Sequence, residues 1–416
     1  MRGGRVAVVG GSIAGCAAAV AAHRGGVDEI TVYERAAGDL AERGVGLAAH
    51  NSRYAELESA GYMDAGMPWV QLVRRRWYVR DEAGPGAGAR SGPGSLGREF
   101  AVTPFPFRTY NWGPLWRELR ERVPAAVRFR EGARVVAVRP GPDGAEVETE
   151  SGTGERFDLV IGADGYRSVV RESFAEVRPA YAGYLAWRGA YPEHRLPHPE
   201  LWAREDAVYA VFPGGHLIVY RIPDDHGGDR VNWVLYTAPP ADLDLGLDRD
   251  LGLATPTSLP PGGLTKALDD HLSYVAEQLL PPYWGELVLT TAPAERFLQP
   301  MYDFTAPRYT ADRVLLMGDA ATVARPHTGA GAVKALQDAT VLESAFATAT
   351  TWPDALDTYD TDRTVAGRTM VDLGRALGRA LVQETPDWRA LDQAGLEAWW
   401  KQADGSGAFG GRELRR

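Results

Sequence analysis

Residues 5–34, RVAVVGGSIAGCAAAVAAHRGGVDEITVYE, constrain the fold more than any other stretch of the chain. The apolar run over 5–10 ends in glycine, as a buried parallel strand does. An alanine-rich segment over 13–23 follows, with small residues where a helix must lie close to a sheet. Residues 30–34 read as a second buried strand closed by an acid. Together they predict a βαβ unit with the turn GGSIAG between its first strand and its helix. Gly10 permits the tight turn and Gly15 lets the helix pack on the strand. The backbone N–H groups between them sit at a helix N-terminus, where a pyrophosphate is stabilised. Glu34, 19 residues beyond Gly15, stands where a carboxylate accepts hydrogen bonds from an adenosine ribose. Ser12 replaces the middle glycine of the G-x-G-x-x-G pattern, and an ordinary crossover with a glycine turn is the plain alternative.

The rest of the composition narrows the class. With 416 residues, 45% apolar and 24% charged, the chain suits a globular protein of two domains or one elaborated one. A net charge of −10 speaks against a nucleic-acid partner and against an anionic membrane surface. No run is long enough for a membrane span. Cys16 is the single cysteine, so no intrachain disulfide forms. Its place in the first helix suits a buried apolar role. A reduced, cytoplasmic setting is the default expectation, and no metal-ligand cluster stands out.

Further along, residues 52–60 predict a helix ended by Gly61. Residues 70–80 predict a strand whose Arg74, Arg75 and Arg76 read as a solvated edge. Residues 83–97 read as a flexible loop, and 112–123 as a helix. Strands are expected over 127–130, 133–139 and 145–150, then a buried strand and a glycine turn in DLVIGADGYRSVVR. Residues 181–191, 207–212, 216–222 and 231–237 read as successive strands of a mixed or antiparallel sheet. Their many aromatics suit either an apolar pocket wall or plain core. Residues 238–263 read as a long loop, 265–279 as a helix, and 312–318 as a buried strand ending in Gly-Asp. Long helices are expected over 329–347 and 355–382, and 401–416 as a frayed tail. The strands beginning near residues 5, 30, 158 and 313 are expected to share one sheet, with the aromatic sheet inserted between the last two.

The three motifs GGSIAG with Glu34, DLVIGADGYRSVVR, and RVLLMGDAATVARPHTGAGAVKALQDA stand in this order. The chain thereby resembles the single-component FAD-dependent aromatic hydroxylases, the class typified by 4-hydroxybenzoate hydroxylase. Within that class the G-x-S-x-x-G turn, YLAWRG and RPHTGAG are most similar to the 2,6-dihydroxypyridine 3-monooxygenase branch. The resemblance implies an α/β fold: a Rossmann-like FAD-binding domain interrupted by a mixed or antiparallel-sheet substrate domain, with C-terminal helices. The expected division is 1–73, 99–178 and 284–384 for FAD, 74–98 and 179–283 for substrate, and 385–416 for a helical tail. Carried over by residue, Gly10, Ser12, Ala14 and Gly15 surround the FAD pyrophosphate and Glu34 holds the ribose. Arg43 contacts FAD, Asp164 and Gly165 support FAD and the passing nicotinamide, and Gly318 and Asp319 bind the ribityl and pyrophosphate region. Pro326, Gly329, Gly331 and Ala332 run along the isoalloxazine ring. Three positions depart from the family pattern: Trp112, Thr322 and Val333.

The same resemblance implies an NADPH- or NADH-consuming monooxygenase that transfers one oxygen atom of O2 to an electron-rich ring through a flavin 4a-hydroperoxide. The ring expected is a hydroxypyridine, pyridone or phenol, from aromatic catabolism or natural-product biosynthesis. The protein's part is to orient the ring, favour its deprotonated form and exclude water, so a base of near-neutral pKa is wanted. His50 and His327 are candidates by residue type, and Tyr220 for hydrogen bonding to a ring oxygen; each has a structural alternative. Arg188 is expected to fix domain contacts, and His216, in the turn GGH, to be exposed. Alternatives are another FAD oxidoreductase of the same fold or a non-catalytic FAD-binding protein. The oligomeric state stays open, and a homo-oligomer is compatible with the sequence.

Overall fold

A computed structural model describes residues 3–38, 40, 46–81, 94–239, 258–405 and 407–411. Arg43 and most of the expected loops over 83–97 and 238–263 lie outside these residues. The four strands expected to associate do so. A six-stranded sheet runs in the order Thr310–Ala311, Val314–Leu316, Leu159–Gly162, Arg5–Val9, Glu29–Tyr33, Arg128–Arg130. Its pairings are parallel except the first. Arg5–Val9 is central, and Val6–Val8 are without solvent contact, as a strand covered on both faces requires. The helix Ile13–Arg24 buries Cys16 and every alanine from Ala17 to Ala22 against this sheet and the helix Gly331–Thr348. Burial drives the Cys16 thiol up to about 12, so it stays protonated, an apolar filler.

The aromatic strands form a nine-stranded mixed sheet. Its order is Thr322–Val323, Phe297–Thr305, Ala180–Pro192, Asp229–Thr237, Gly215–Pro223, Asp206–Phe212, Val70–Val79, Arg98–Asn111, Gly46–His50. One face packs against the helices Lys266–Gln278 and Pro282–Leu289. The other meets the long helix Trp352–Gly378 and the C-terminal segment. The expected boundary at 283/284 does not coincide with a break in this layer, because Phe297–Thr305 pairs with Ala180–Pro192.

Three local expectations fail for one reason, contact with chain remote in sequence. Of the expected frayed tail, the described residues 401–405 and 407–411 are ordered into the fold. The helix Gln393–Asp404, capped by Asp392, leads to a turn that buries Ala408 and Phe409 against the sheet. His216 is 1% exposed, stacked between Tyr209 and Tyr236 with ring centroids 5.4 and 4.9 Å away. Within the arginine run, alternation along the strand separates the side chains. Arg74 and Arg76 pair with Asp206 at 2.7 and 2.5 Å. Arg75 is buried, with its guanidinium 3.8 Å from the Trp400 ring centroid and 4.7 Å from that of Trp77. The tail thus closes an aromatic box around a cation. Replacing Phe409 by Ala is expected to lower unfolding stability by about 3 kcal/mol. Equilibrium denaturation measures this, and unchanged stability would remove the tail from the core.

Candidate active site

Three turns of the chain open onto one cleft of about 1450 Å³. Gly10, Ser12 and Ala14 come from the first, Asp164 and Gly165 from the second, and Asp319, Gly331 and Ala332 from the third; Glu34 lines it too. Contacts between backbones bring them together. Gly10 has φ of 102°, and a Cβ on it would lie 2.3 Å from the Ala163 carbonyl oxygen. A Cβ on Gly15 would lie 1.8 Å from the Gly10 carbonyl oxygen, and one on Gly318 2.8 Å from Cβ of Ala14. Gly15 and Gly318 are therefore packing positions behind the lining. Pro326 and Gly329 lie in the turn beyond it, with Gly329 (φ 61°) near the Phe107 ring.

The helices Ile13–Arg24 and Gly331–Thr348 both begin at the cleft, with no side-chain cap and no acid in the first turn. Unpaired N–H groups and the positive ends of two helix dipoles thus face the same space. Glu34 Oε2 accepts from Gly11 N and Oε1 from Ala36 N, both at 2.8 Å. Asp164 Oδ1 is buried with no hydrogen-bond partner among the described residues, and burial raises its carboxyl. Asp319 lines the cleft as an exposed residue; desolvation raises its carboxyl, against the pull of Lys334. These groups fit FAD: helix N-termini for the pyrophosphate, and carboxylates and an orphaned acceptor for hydroxyl groups.

Side chains that local patterns did not single out hold the turns. Trp116 Nε1 donates to the Gly11 carbonyl at 2.9 Å, and its ring is parallel to that of Trp112, which lines the cleft. Arg171 donates to the Tyr166 and Ala320 carbonyls at 2.7 and 3.0 Å, joining the second turn to the third. Asp338, fully buried, accepts from Gly318 N at 2.9 Å, Lys334 Nζ at 2.8 Å and Arg363 Nε at 2.7 Å. Asp303 binds Arg325 and Arg375 at 2.7 and 2.8 Å, fixing the turn Pro326–Thr328. The departures Thr322 and Val333 point into the core: Thr322 bonds Tyr309 and Thr305, and Val333 is 2% exposed. Neither lines the cleft.

Chain comparison agrees with this geometry. Residues 269–374 match the FAD binding domain family and 181–303 a FAD binding domain-like family. The chain is 28% identical over 355 residues to 2,6-dihydroxypyridine 3-monooxygenase of Paenarthrobacter nicotinovorans, covering 82% of each. The solved 2,6-dihydroxypyridine-3-hydroxylase of Arthrobacter nicotinovorans superposes with a TM-score of 0.79 at 26% identity, over 94% of this chain and 96% of that one. Over most of its length the chain is similar to FAD-dependent aromatic monooxygenases. A further relative, 3-amino-4-hydroxybenzoate 2-monooxygenase of Streptomyces cremeus, is 29% identical over 343 residues, 81% of this chain and 77% of that protein. Held by these turns, FAD would supply the redox chemistry with NAD(P)H and O2, leaving the chain's own residues to hold it and to orient a small aromatic substrate. No helix among the described residues is long and apolar enough to cross a membrane.

The three candidate substrate residues differ in setting. His50 caps the helix Asn51–Ser59, its Nδ1 accepting from Ser52 N at 3.2 Å, with its ring edge-on to Phe107. His327 is 5% exposed, bonds Tyr184 Oη through Nε2 at 2.8 Å, and packs 4.3 Å from the Tyr236 ring. Tyr220 belongs to the cluster on the sheet face that meets the helix Trp352–Gly378, a cluster that also contains Ala330. Trp187 is core on the opposite face. Arg188 Nη1 donates to Gln299 Oε1 at 3.0 Å, a bond that crosses the expected 283/284 boundary while staying within one sheet.

Removing the Asp338 carboxylate strands Lys334 and Arg363. Asp338→Ala is therefore expected to cost about 3–5 kcal/mol of stability and to release FAD, seen by denaturation and by flavin absorbance after gel filtration. His216 and His327 are neutral in the fold. Burial drives His216 from 6.5 to about 3, and burial, then His216 and Arg325, drive His327 well below 6.5. Depressed folded values mean that their stabilisation is whole above pH 6.5 and is lost as pH falls below it, for His216 down to about 3. The loss reaches about 1.4 kcal/mol per pH unit for each ring. His216→Phe is expected to flatten the fall of unfolding free energy between pH 6 and pH 4; an unaltered slope would contradict this.

Proposed function

We propose that this hydroxylase adds one oxygen atom to a hydroxypyridine, a pyridone or a closely related phenol, alone or within a larger natural product. The observation that carries the proposal is the relation to the dihydroxypyridine enzyme, which extends over 82% of both chains and to a shared fold. Tyr220 meets a ring oxygen. His50 holds the helix Asn51–Ser59 at the rim, and His327 braces the turn Pro326–Thr328, where its neutral ring keeps positive charge out of the core. Glu34 binds the adenosine ribose, Arg43 contacts FAD, and Pro326, Gly329, Gly331 and Ala332 follow the isoalloxazine ring. The FAD-binding part comprises 1–73, 99–178 and much of 284–384, the aromatic strands forming the substrate part. A reducing, cytoplasmic setting suits the single buried Cys16.

The test is a screen of hydroxypyridines and phenols with the purified, FAD-loaded protein. NAD(P)H oxidation should rise with at least one hydroxypyridine, and mass spectrometry should find the product with one added oxygen atom. Turnover confined to non-aromatic substrates, or none with any hydroxypyridine or phenol, would overturn the proposal.

A further inference from the structure

The C-terminal turn comes nearer to the cofactor region than its place in the sequence suggests. Phe107 lies between it and the turn Pro326–Thr328. A Cβ on Gly329 would lie 3.7 Å from Phe107 Cε1, and one on Gly410 2.7 Å from Phe107 Cζ and 3.1 Å from His50 Cβ. One phenyl ring therefore separates residue 410 from the turn that follows the isoalloxazine ring in the function proposed above. A ring that is to receive oxygen must be held within reach of that turn.

Phe409 is what stands there. Its ring centroid is 5.5 Å from that of Phe107, 6.1 Å from Phe105 and 5.1 Å from Trp400, and the Arg75 guanidinium carbon is 5.5 Å from it. The contacts with Phe107 and Trp400 are edge-to-face. Such edges, with a cation beside the ring, are the surroundings in which an aromatic ligand is also stabilised. The hydrogen bonds that shape the turn run within the tail itself. Phe409 N donates to Asp404 Oδ1 at 3.3 Å, Gly407 N to the Asp404 carbonyl at 3.1 Å and Gly411 N to the Ala408 carbonyl at 2.9 Å. Gly407 and Gly410 supply its left-handed backbone, with φ of 68° and 72°. These bonds travel with the tail if it moves, so its release chiefly costs ring contacts. A segment held in this way opens more readily than the strands beneath it.

We infer that Phe409 is an internal stand-in for the aromatic substrate: it fills the chamber lined by Phe105, Phe107, Trp400 and Arg75, and an entering ring displaces it together with residues 408–411. The inference rests on the hydroxylase reading above and locates the substrate within it. One ring is exchanged for another, so the chamber stays closed to water between turnovers. Because a ligand must first expel Phe409, its apparent affinity is reduced by the fraction of chains in which the tail is open. Removing the ring of Phe409 removes that reduction.

The test uses the FAD-loaded, full-length enzyme with 2,6-dihydroxypyridine and 4-hydroxybenzoate as probes. Dissociation constants come from the change each causes in the visible flavin spectrum, and hydrogen–deuterium exchange follows the peptides covering 401–411. Phe409→Ala should bind at least one probe at least about tenfold more tightly than the wild type. In the wild type, a saturating probe should raise exchange in the tail. A Phe409 that only braces the core gives the opposite: weaker or unchanged binding in Phe409→Ala, and a tail whose exchange falls or stays level as the ligand binds. Either of these results overturns the inference, and so does failure of both probes to bind either protein. Flavin content reports whether Phe409→Ala is folded; if it is not, exchange in the wild-type tail decides alone. Loss of the hydroxylase reading would look different: no ring would give an oxygenated product, while displacement of the tail by the probe would persist.

Discussion

Everything in the active site depends on backbone meeting backbone where glycine leaves room. The Gly10 carbonyl lies where a Cβ on Gly15 would be, and the Ala163 carbonyl where one on Gly10 would be. These contacts place the helix Ile13–Arg24 on the central strand, with its first N–H groups aimed into the cleft. Gly318 abuts Ala14 from the other side, and the helix Gly331–Thr348 then begins at the same cleft. A dinucleotide cofactor finds two helix starts and two carboxylates already in place because the main chain itself is so closely packed.

Rigid support is layered behind that backbone. Glu34 fixes Gly11, Asp338 fixes Gly318 while neutralised by two buried cations, and Asp303 fixes the turn Pro326–Thr328 through Arg325. Each is a carboxylate accepting from a turn or its flank, so the acids that shape the site are largely spent on structure. One face of the aromatic sheet is by contrast donor-rich, carrying Arg188, Asn232 and Tyr220. That division of labour suits a protein whose cofactor does the hard chemistry and whose own task is orientation and charge.

Much of this was legible in the sequence where the signal is local. The βαβ unit, the Gly-Asp turn and the aromatic strands are written in period and punctuation, and their bounds fall within a few residues of the observed ones. Residues whose role comes from remote partners were not legible. Arg75 looked like its neighbours Arg74 and Arg76 until strand alternation turned it towards Trp400, over three hundred residues away. His216 followed two glycines in a hairpin, yet Tyr209, Tyr236 and the Leu381 carbonyl enclose it. Lys334 and Asp338, one helical turn apart, resemble a surface pair; only Arg363 and Gly318 reveal that they are interior. The glycine-rich tail carries its anchor in one aromatic side chain, Phe409, which composition outweighs.

The parallel indoles of Trp112 and Trp116 have an optical consequence. One borders the cleft and the other donates to the glycine turn beneath it, so both lie beside the space a yellow chromophore fills. Excitation absorbed by these rings has a nearby acceptor whenever that space is occupied. The enzyme therefore carries its own emission gauge, bright when empty and dim when loaded.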